Sequence, residues 1–243
     1  MSGWSAVVLA GGRGTRLRNV CPDTPKPLVR VEGRPFLDWL LIYLRACGFR
    51  RVVISTGDRG EQFEPYQGSE YLPGLVLSTV RELLPLGTAG GFCHAVERAK
   101  LDQYLLALNG DSLVLTPLQP ILSNFLRDAA EAAIIAVRVE DAARYGSLDL
   151  DADGWVRGFR EKQPGAGLAN AGIYLFREPV LRHFPRQRPL SFETDVFPHL
   201  IASGHAVRAY RCAAPFLDIG IPQALAEAPG FIATHFDGFL EPS

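Results

Sequence analysis

The amino-acid sequence predicts an α/β fold, in which a mostly parallel, Rossmann-like sheet carries helices on both of its faces. In the first half of the 243-residue chain, short apolar runs of strand length alternate with segments of helical periodicity, which is typical of βαβ units. In the second half, the turn signal DADG at residues 151–154 predicts a hairpin and a smaller antiparallel portion. We expect a single domain over residues 1–243, with its halves meeting at about residue 130.

The predicted strands are short, and those of the first half are apolar enough to be buried on both faces. They are residues 6–10, 51–56, 75–80, 104–108, 132–139, 147–150, 155–160 and 170–176. The predicted helices show helical spacing of apolar residues or follow helix-start signals, and the first of them ends before a C′ glycine, Gly48. They are residues 36–47, a weak helix from Asp58, and residues 87–100, 193–202 and 222–228.

The composition argues against several classes of protein. A net charge of −1 leaves no broad basic face for a nucleic-acid polymer. The four cysteines include no C-x-x-C pair, so we expect neither a zinc site nor disulfides, and the expected compartment is the reducing cytoplasm. No segment approaches the roughly 18 apolar residues of a membrane helix, and the N-terminus is interpreted as a buried strand, not a signal peptide.

Three glycines, Gly11, Gly12 and Gly14, follow the first predicted strand at once. Glycine lets the backbone approach a ligand closely, so that successive N–H groups can converge on phosphate oxygens. The loop would lie at the carboxyl end of a strand, where open α/β sheets bind ligands. It matches neither the P-loop nor the dinucleotide fingerprint, and the glycines alone would equally suit a plain turn with solvated arginines.

Basic residues crowd the same region and call for a local anion. Five cations stand there against the single acid Asp23: Arg13, Arg16, Arg18, Lys26 and Arg30. A triphosphate carries about four negative charges, which guanidinium and ammonium groups would offset. Pro25 and Pro27 restrict the backbone on both sides of Lys26. The loop together with Lys26 therefore indicates a polyphosphate site.

With Lys26 included, LAGGRGTRL at residues 9–17 and PKP at 25–27 resemble the N-terminal motif of the sugar-nucleotide pyrophosphorylases. The resemblance continues in the family's order to about residue 223. The matching pieces are PLGTAG at 85–90, LNGD at 108–111, RYG at 144–146, FREK at 159–162, NAGIY at 170–174, FETD at 192–195 and DIG at 218–220. The resemblance implies a GT-A-like nucleotide-diphospho-sugar transferase fold, with a nucleotide-binding half at about 1–130 and a sugar-phosphate-binding half at about 131–243.

Within the family, the PLGTAG segment looks most like the guanylyltransferases for mannose 1-phosphate and D-glycero-D-manno-heptose 1-phosphate. The short chain and the RYG segment favour the heptose branch. The implied reaction condenses an NTP, GTP favoured, with a sugar 1-phosphate, D-glycero-α-D-manno-heptose 1-phosphate favoured, and releases pyrophosphate with the help of Mg²⁺. Its partners would be these small molecules, with no membrane and no nucleic-acid polymer, and a homodimer is compatible with the sequence.

Other functions stay open at this point. A uridylyl- or thymidylyltransferase for another sugar 1-phosphate would carry much the same motifs. More remote alternatives are a non-catalytic nucleotide-binding subunit and a glycosyltransferase. A glycosyltransferase usually carries a D-x-D metal motif, whereas this chain has Asn109-Gly110-Asp111 and the arginine–lysine loop.

By resemblance, Asp111 and Asp218 bind the metal, and the catalytic residues are Arg16, Lys26, Asp111 and Lys162. Magnesium typically takes one or two carboxylates together with phosphates, although an aspartate after Asn-Gly could also be a plain turn residue. Arg16 and Lys26 would neutralise the triphosphate and the leaving pyrophosphate, since such transfers depend on positioning and electrostatics. No general base is required, because the sugar phosphate oxygen is already an anion at neutral pH.

The resemblance also assigns two binding sites. The nucleotide site would comprise Leu9, Ala10, Gly11, Gly12, Gly14, Thr15, Arg16, Lys26, Glu82, Gly87 and Thr88. Glu82 favours GTP, because a carboxylate can accept both the N1–H and the 2-amino donors of guanine; a solvated charge at a strand end is the alternative. The sugar-phosphate site would comprise Asn109, Gly146, Glu161, Lys162, Asn170, Glu193 and Thr194. There Glu161 would accept hydrogen bonds from sugar hydroxyls and Lys162 would bind the phosphate. The alternative is that the two residues form a surface ion pair.

Overall fold

The computed structural model describes residues 3–12, 14–17, 20–68, 71–140, 147–160 and 165–239, without the side chains of Thr15 and Arg160. Its strands are β1 (Trp4–Ala10), β2 (Arg30–Val31), β3 (Arg34–Pro35), β4 (Arg51–Thr56), β5 (Val76–Arg81), β6 (Tyr104–Asn109), β7 (Ser112–Val114), β8 (Ala132–Val139), β9 (Ser147–Leu150), β10 (Val156–Arg160), β11 (Gly167–Arg177), β12 (Val207–Cys212) and β13 (Phe216–Asp218). Its α-helices are α1 (Phe36–Ala46), α2 (Thr88–Ala99), α3 (Leu118–Arg127), α4 (Phe197–Ala202) and α5 (Pro222–His235).

Within these ranges, nine strands form one mixed sheet, whose main path runs β10-β9-β11-β6-β1-β4-β5. Strands β6, β1, β4 and β5 are parallel. Strand β11 lies antiparallel to both β6 and β8, and β12 pairs with β8 on the far side. The predicted fold class is confirmed, and the antiparallel strands of the second half extend the parallel sheet itself. How the chain divides into domains stays a prediction.

The order of the parallel strands creates a crevice next to β1. From β1 the chain proceeds to β4 and β5 on one side, and it then returns to place β6 on the other side of β1. Ligands of open α/β sheets bind outside the carboxyl ends of the strands at such a switch point. The carboxyl ends of β1 and β6 lie level, because Leu9 pairs with Asn109 and the Gly110 N–H donates to the Leu9 carbonyl at 2.9 Å. The glycine loop and the LNGD segment therefore begin side by side.

Strand β1 is buried on both faces, as its apolar sequence predicts. Ala6 and Val8 pack in the core under α1, whereas Val7 packs with Phe92 of α2 in the core on the opposite face. Burial on both faces fixes the position of the carboxyl end of β1, and therefore the position at which the glycine loop starts. Among the described residues, no helix is both long and apolar enough to cross a lipid bilayer.

Several elements were not predicted from the sequence, and their surroundings explain why. Strand β12 carries two arginines, and Arg208 is accommodated because its guanidinium stacks on Trp155 and pairs with Asp128. Helix α3 contains Pro120 in its first turn, where proline displaces no helical hydrogen bond. Short β7 and β13 are stabilised by pairing with each other.

Three predicted helices differ from those observed. The helix predicted at 193–202 begins as a π-helical turn, Phe192–Val196, before α4. The helix predicted at 222–228 continues through Pro229 to His235, because its apolar face still packs on the core through Ala228 and Ile232. The weak helix expected from Asp58 is a 3₁₀ segment, Gly60–Tyr66.

Replacing Phe176 by alanine should reduce the free energy of unfolding by about 3–5 kcal/mol, the usual cost of removing a buried aromatic ring. Phe176 is fully buried, and its ring lies 5.2–5.9 Å from those of Phe92, Phe192 and Phe197. Urea denaturation measures the effect. Leu83→Ala, at a side chain that is 91% exposed, is the control and should change stability by less than about 0.5 kcal/mol. Equal effects would contradict the packing described.

Candidate functional site

A cavity of about 320 Å³ opens at the carboxyl ends of β1 and β6. Its walls come from the end of β1 and the glycine loop, from the PKP segment, from the loop before α2, and from the end of β6. The lining residues are Leu9, Ala10, Gly11, Gly12, Lys26, Pro27, Glu82, Pro85, Gly87, Thr88, Asn109 and Asp111. Four motifs that are far apart in the sequence therefore share one cavity.

Lys26 and Asp111 form the charged floor of this cavity. The Lys26 ammonium donates to Asp111 Oδ2 at 2.9 Å, and the two side chains are only 16% and 26% exposed. The backbone of Lys26 is held in a 3₁₀ turn next to buried Pro27. Gly14, at φ +58°, lies over the stem of Lys26, since a Cβ there would be 3.2 Å from Lys26 Cγ. The glycine loop, Lys26 and Asp111 thus meet, as the polyphosphate interpretation requires.

Asp218 reaches the same place from the end of β13. Pairing of β13 with β7 sets Asp218 opposite Ser112, and the Ile219 N–H donates to the Asp111 carbonyl at 3.0 Å. The Gly220 N–H donates to Asp218 Oδ1 at 2.7 Å. A Cβ on Gly220 would lie 2.7 Å from Asp218 Oδ1 and 3.8 Å from Lys26 Nζ. Both predicted metal-binding carboxylates therefore lie around the same lysine.

Glu82, the predicted base-reading residue, lines the cavity beside Gly87 and Thr88. Its Oε2 accepts from the Leu86 N–H at 3.0 Å, and its Oε1 accepts from the Ser55 hydroxyl at 3.3 Å. Burial raises the pKa of the Glu82 carboxyl, an effect that the Leu86 and Ser55 hydrogen bonds partly offset. Each carboxylate oxygen accepts more than one hydrogen bond, so both retain capacity toward a ligand.

The carboxylate of Glu82 also explains why Gly11 is glycine. A Cβ on Gly11 would lie 2.7 Å from Glu82 Oε1 and 3.5 Å from the Gly57 N–H nitrogen. At Gly12, by contrast, a Cβ would meet nothing within 4 Å. The two adjacent glycines therefore differ: Gly11 is required by close packing within the protein, whereas the space above Gly12 is open toward the cavity.

The predicted sugar-binding residues Asn109, Asn170 and Glu193 lie in one group next to the cavity. Gly172, at φ +71°, approaches Asn109 so closely that a Cβ would be 2.5 Å from Asn109 Nδ2. The Asn170 amide donates to the Tyr174 hydroxyl at 2.9 Å, and that hydroxyl donates to Glu193 Oε1 at 2.6 Å. Strand β11 therefore joins the end of β6 to the turn that carries Glu193.

The remaining predicted residues are placed less centrally or lie outside the described part of the chain. Arg16 is exposed in the short helix Thr15–Leu17 and is not in the cavity lining. Thr194 is exposed, and its N–H donates to the Ser191 hydroxyl. Arg30 is not in the cavity lining, and its guanidinium donates to the Gly33 carbonyl in its own turn. Outside the described residues are Arg13, Arg18, Gly146, Glu161 and Lys162.

One group of contacts between the two halves, made by Leu190 and Phe192 with the loop before α2, could not be predicted from local sequence signals. The carbonyl of Leu190 accepts from the N–H groups of Ala89 and Gly90, and the Leu190 N–H donates to the Leu86 carbonyl. The Phe192 N–H donates to Thr88 Oγ1 at 3.0 Å. Gly87, at φ +79°, has no room for a side chain, because its Cβ would lie 2.7 Å from the Leu190 nitrogen. The loop before α2 is thus supported by the segment that leads to Glu193.

Comparison with known proteins identifies the class. The model of the nucleotidyl transferase family matches residues 5–235, so the chain belongs to the nucleotidyl transferase family. The mannose-1-phosphate guanylyltransferase of Mycobacterium tuberculosis is 35% identical over 221 residues, which cover 90% of this chain and 61% of that protein. The present chain therefore spans about three-fifths of that relative's length.

Two further relatives match over nearly their whole length. The D-glycero-α-D-manno-heptose 1-phosphate guanylyltransferase of Aneurinibacillus thermoaerophilus is 30% identical, over 92% of this chain and 96% of that enzyme. The crystal structure of HddC from Yersinia pseudotuberculosis, complexed with GMP-PN, superposes with a TM-score of 0.82 at 30% identity, over 93% of this chain and 98% of that one. The family resemblance inferred from the motifs is confirmed.

The raised pKa of Glu82 predicts a specific pH dependence of stability. A carboxyl whose pKa is higher in the folded state stabilises the fold below its unfolded-state pKa, and that contribution is lost as the pH rises through the folded-state pKa. Relative to Glu82→Gln, which does not titrate, the wild type should therefore lose thermal stability as the pH is raised through the weakly acidic range above about 4, the ordinary pKa of a glutamate carboxyl.

Thermal melts of both proteins across this range measure the difference. Glu64→Gln, at an exposed position of the Gly60–Tyr66 segment, is the control, and its difference from the wild type should stay flat. A wild type that gains stability over Glu82→Gln as the pH rises would show that burial does not dominate at Glu82.

Proposed function

We propose that this protein transfers a nucleoside monophosphate from an NTP, preferably GTP, to the phosphate of a sugar 1-phosphate and releases pyrophosphate. The observation that carries the proposal is the meeting of Lys26 with Asp111 and Asp218 at the mouth of the glycine loop. A lysine beside two carboxylates offers sites for a polyphosphate and for its cation, with Lys26 and Asp111 in the cavity lining and Asp218 next to them.

The donor set suits a magnesium ion. Asp111 and Asp218 supply hard carboxylate oxygens from two adjacent strand ends, and magnesium commonly uses one or two carboxylates and completes its shell with phosphates and water. No group of three or more histidine, cysteine or acidic side chains with metal-binding geometry occurs among the described residues, and such a cage is not what magnesium needs. Bound there, the ion would offset charge on the reacting phosphates.

In the proposed reaction, an oxygen of the sugar phosphate forms a bond to the α-phosphorus of the NTP. The bond between the α-phosphorus and the bridging oxygen to the β-phosphate breaks, and its electron pair leaves on pyrophosphate. The Lys26 ammonium offsets negative charge on the phosphates, and the N–H groups of the Gly11–Gly12 segment orient them. The nucleophile is already an anion, so the chain needs to orient it, not deprotonate it.

The preference for GTP is supported by Glu82 at the cavity wall and by relatives named guanylyltransferases. Guanine presents two neighbouring N–H donors to a carboxylate, whereas uracil and thymine present one. For the sugar, we favour D-glycero-α-D-manno-heptose 1-phosphate, in line with the relative named for that substrate, which is 30% identical over 92% of this chain. By resemblance, Arg16 and Lys162 would complete the grip on the phosphates, and Glu161 and Gly146 would contact the sugar.

A pyrophosphate-release screen tests the proposed function. The purified chain is incubated with Mg²⁺, each of the four common NTPs and a panel of sugar 1-phosphates that includes heptose, mannose and glucose. We expect release to be fastest with GTP and a manno-configured sugar 1-phosphate. Fastest release with UTP or dTTP would replace the base assignment, and no release with any pair would overturn the proposed reaction.

Substitutions of Lys26 and Asp111 should strongly reduce activity without unfolding the protein. Asp111→Asn removes one metal-binding carboxylate at constant shape, and we expect kcat to fall by about 10³-fold or more. Lys26→Met should reduce kcat by about 10²-fold, in line with the loss of one donor to developing charge. Steady-state pyrophosphate release measures both.

Matched substitutions at exposed positions provide the controls. Lys100→Met and Asp237→Asn make the same chemical changes far from the cavity, at exposed side chains, and should keep rates within about twofold of the wild type. Near-normal rates in Asp111→Asn and Lys26→Met would refute the roles proposed for these two residues.

A further inference from the structure

The carboxylate of Glu193 is held on both of its oxygens by protein hydroxyls. The Tyr174 hydroxyl donates to Oε1 at 2.6 Å, and the Ser191 hydroxyl donates to Oε2 at 2.8 Å. The Tyr174 hydroxyl also accepts from the Asn170 amide at 2.9 Å, and Asn170 Oδ1 accepts from the Gly172 N–H at 3.0 Å. One tyrosine hydroxyl thus fixes the orientation of two polar side chains.

The position of Tyr174 leaves its hydroxyl little freedom. The residue is fully buried, and its ring packs 4.8 Å from the ring of Phe192 and 5.3 Å from that of Phe197. Burial, followed by the nearby Glu193 carboxylate, raises the pKa of Tyr174 well above its ordinary value, so the phenol stays protonated and remains a donor. A buried tyrosine in this setting is a rigid support, not a proton-transfer group.

The group of Asn170, Tyr174 and Glu193 borders the cavity. Gly172 packs against Asn109 of the cavity lining, and Phe192, next to Glu193, donates through its N–H to Thr88, also in the lining. Asp111 lies close enough to contribute to the raised pKa of Tyr174. The group therefore lies next to the cavity, on the side that Asn109 and Thr88 line.

We propose that Tyr174 is a positioning residue that sets the choice between sugar epimers by holding Glu193 and Asn170 in fixed orientations. The inference rests on the proposed function and deepens it. A carboxylate and an amide whose directions are fixed can satisfy a hydroxyl of one configuration and leave the inverted hydroxyl without a partner. Sites built to bind a hydroxyl discriminate in this way, because an unpaired buried polar group is costly.

Removal of the phenol oxygen should relax this choice. In Tyr174→Phe the ring packing is kept, whereas Glu193 and Asn170 each lose one of the two hydrogen bonds that orient them. We expect the KM for the preferred sugar 1-phosphate to rise about tenfold, in the range expected for loss of a hydrogen bond to a charged group. The kcat/KM ratio between that sugar 1-phosphate and its C2 epimer should fall about tenfold, while the KM for GTP stays within about twofold.

The experiment measures pyrophosphate release by the full chain with the sugar 1-phosphate that the wild type uses best and with its C2 epimer. Tyr66→Phe is a closely matched control. Tyr66 is 4% exposed, and its hydroxyl donates at 2.7 Å to another carboxylate, that of Asp38, which is not in the cavity lining. Tyr66→Phe should lower the melting temperature by an amount similar to Tyr174→Phe and leave the epimer ratio unchanged.

A second variant separates positioning from a general loss of structure. If Tyr174 acts through Glu193 and Asn170, then Tyr174→Phe added to a variant that carries both Glu193→Gln and Asn170→Ala should change the epimer ratio by less than about twofold, because contacting residues that act as a unit are not additive. An unchanged epimer ratio in Tyr174→Phe, or equal changes in Tyr66→Phe, would overturn the inference while leaving the proposed function intact. A wild type that turns over no sugar 1-phosphate would overturn both.

Discussion

The ion pair between Lys26 and Asp111 is the interaction on which the rest of the site depends. Each side chain is too poorly exposed to be solvated fully, and a charge removed from water requires a partner at close range. Lys26 comes from a loop between two prolines, and Asp111 comes from the end of β6. Because the pair can form only when these segments meet, it ties the glycine loop to the far side of the crevice and draws Asp218 into the same group.

The pairing of strands in the sheet brings these segments together. Strands β1 and β6 are paired neighbours, so the segments that follow them start at the same edge of the sheet. Strand β1 is packed between two hydrophobic cores, one on each face of the sheet. The polar groups of the site are therefore carried mostly by loops, while the positions of these loops are set by buried apolar residues such as Ala6, Val7 and Val8. Family membership, shown by the match over residues 5–235, agrees with this division of labour.

Much of the first half could be predicted from the sequence, because its signals are local. Buried strands such as Arg51–Thr56 contain short apolar runs, here Val52 to Ile54, and the glycine loop with Lys26 carries its chemistry within a short stretch of chain. The gathering of Lys26, Asp111 and Asp218 was expected from resemblance, and the structure places the three together, although the roles of the site residues stay predictions until they are tested. Glu161, Lys162 and Gly146 lie outside the described residues.

What could not be predicted depends on contacts between distant segments. The hydrogen bonds of Leu190 with Leu86 and Ala89 involve only main-chain groups, which leave no mark on the sequence. Tyr174 reads as an ordinary core aromatic until Asn170 and Glu193 are found at its hydroxyl. Likewise, Arg208 looks unsuited to a strand until its stacking on Trp155 is known.

The place of β11 in the sheet has a consequence for biosynthesis. Strand β6 forms one half of the crevice, yet its other edge pairs with β11, which is not made until residues 167–177 leave the ribosome. Until then the nascent chain would present an apolar strand with unsatisfied backbone groups, the kind of edge that recruits other chains. The outer edge of β6 can therefore be paired only late in translation. A chain that ends after β6 and before β11 would keep this edge exposed and would be expected to bind chaperones.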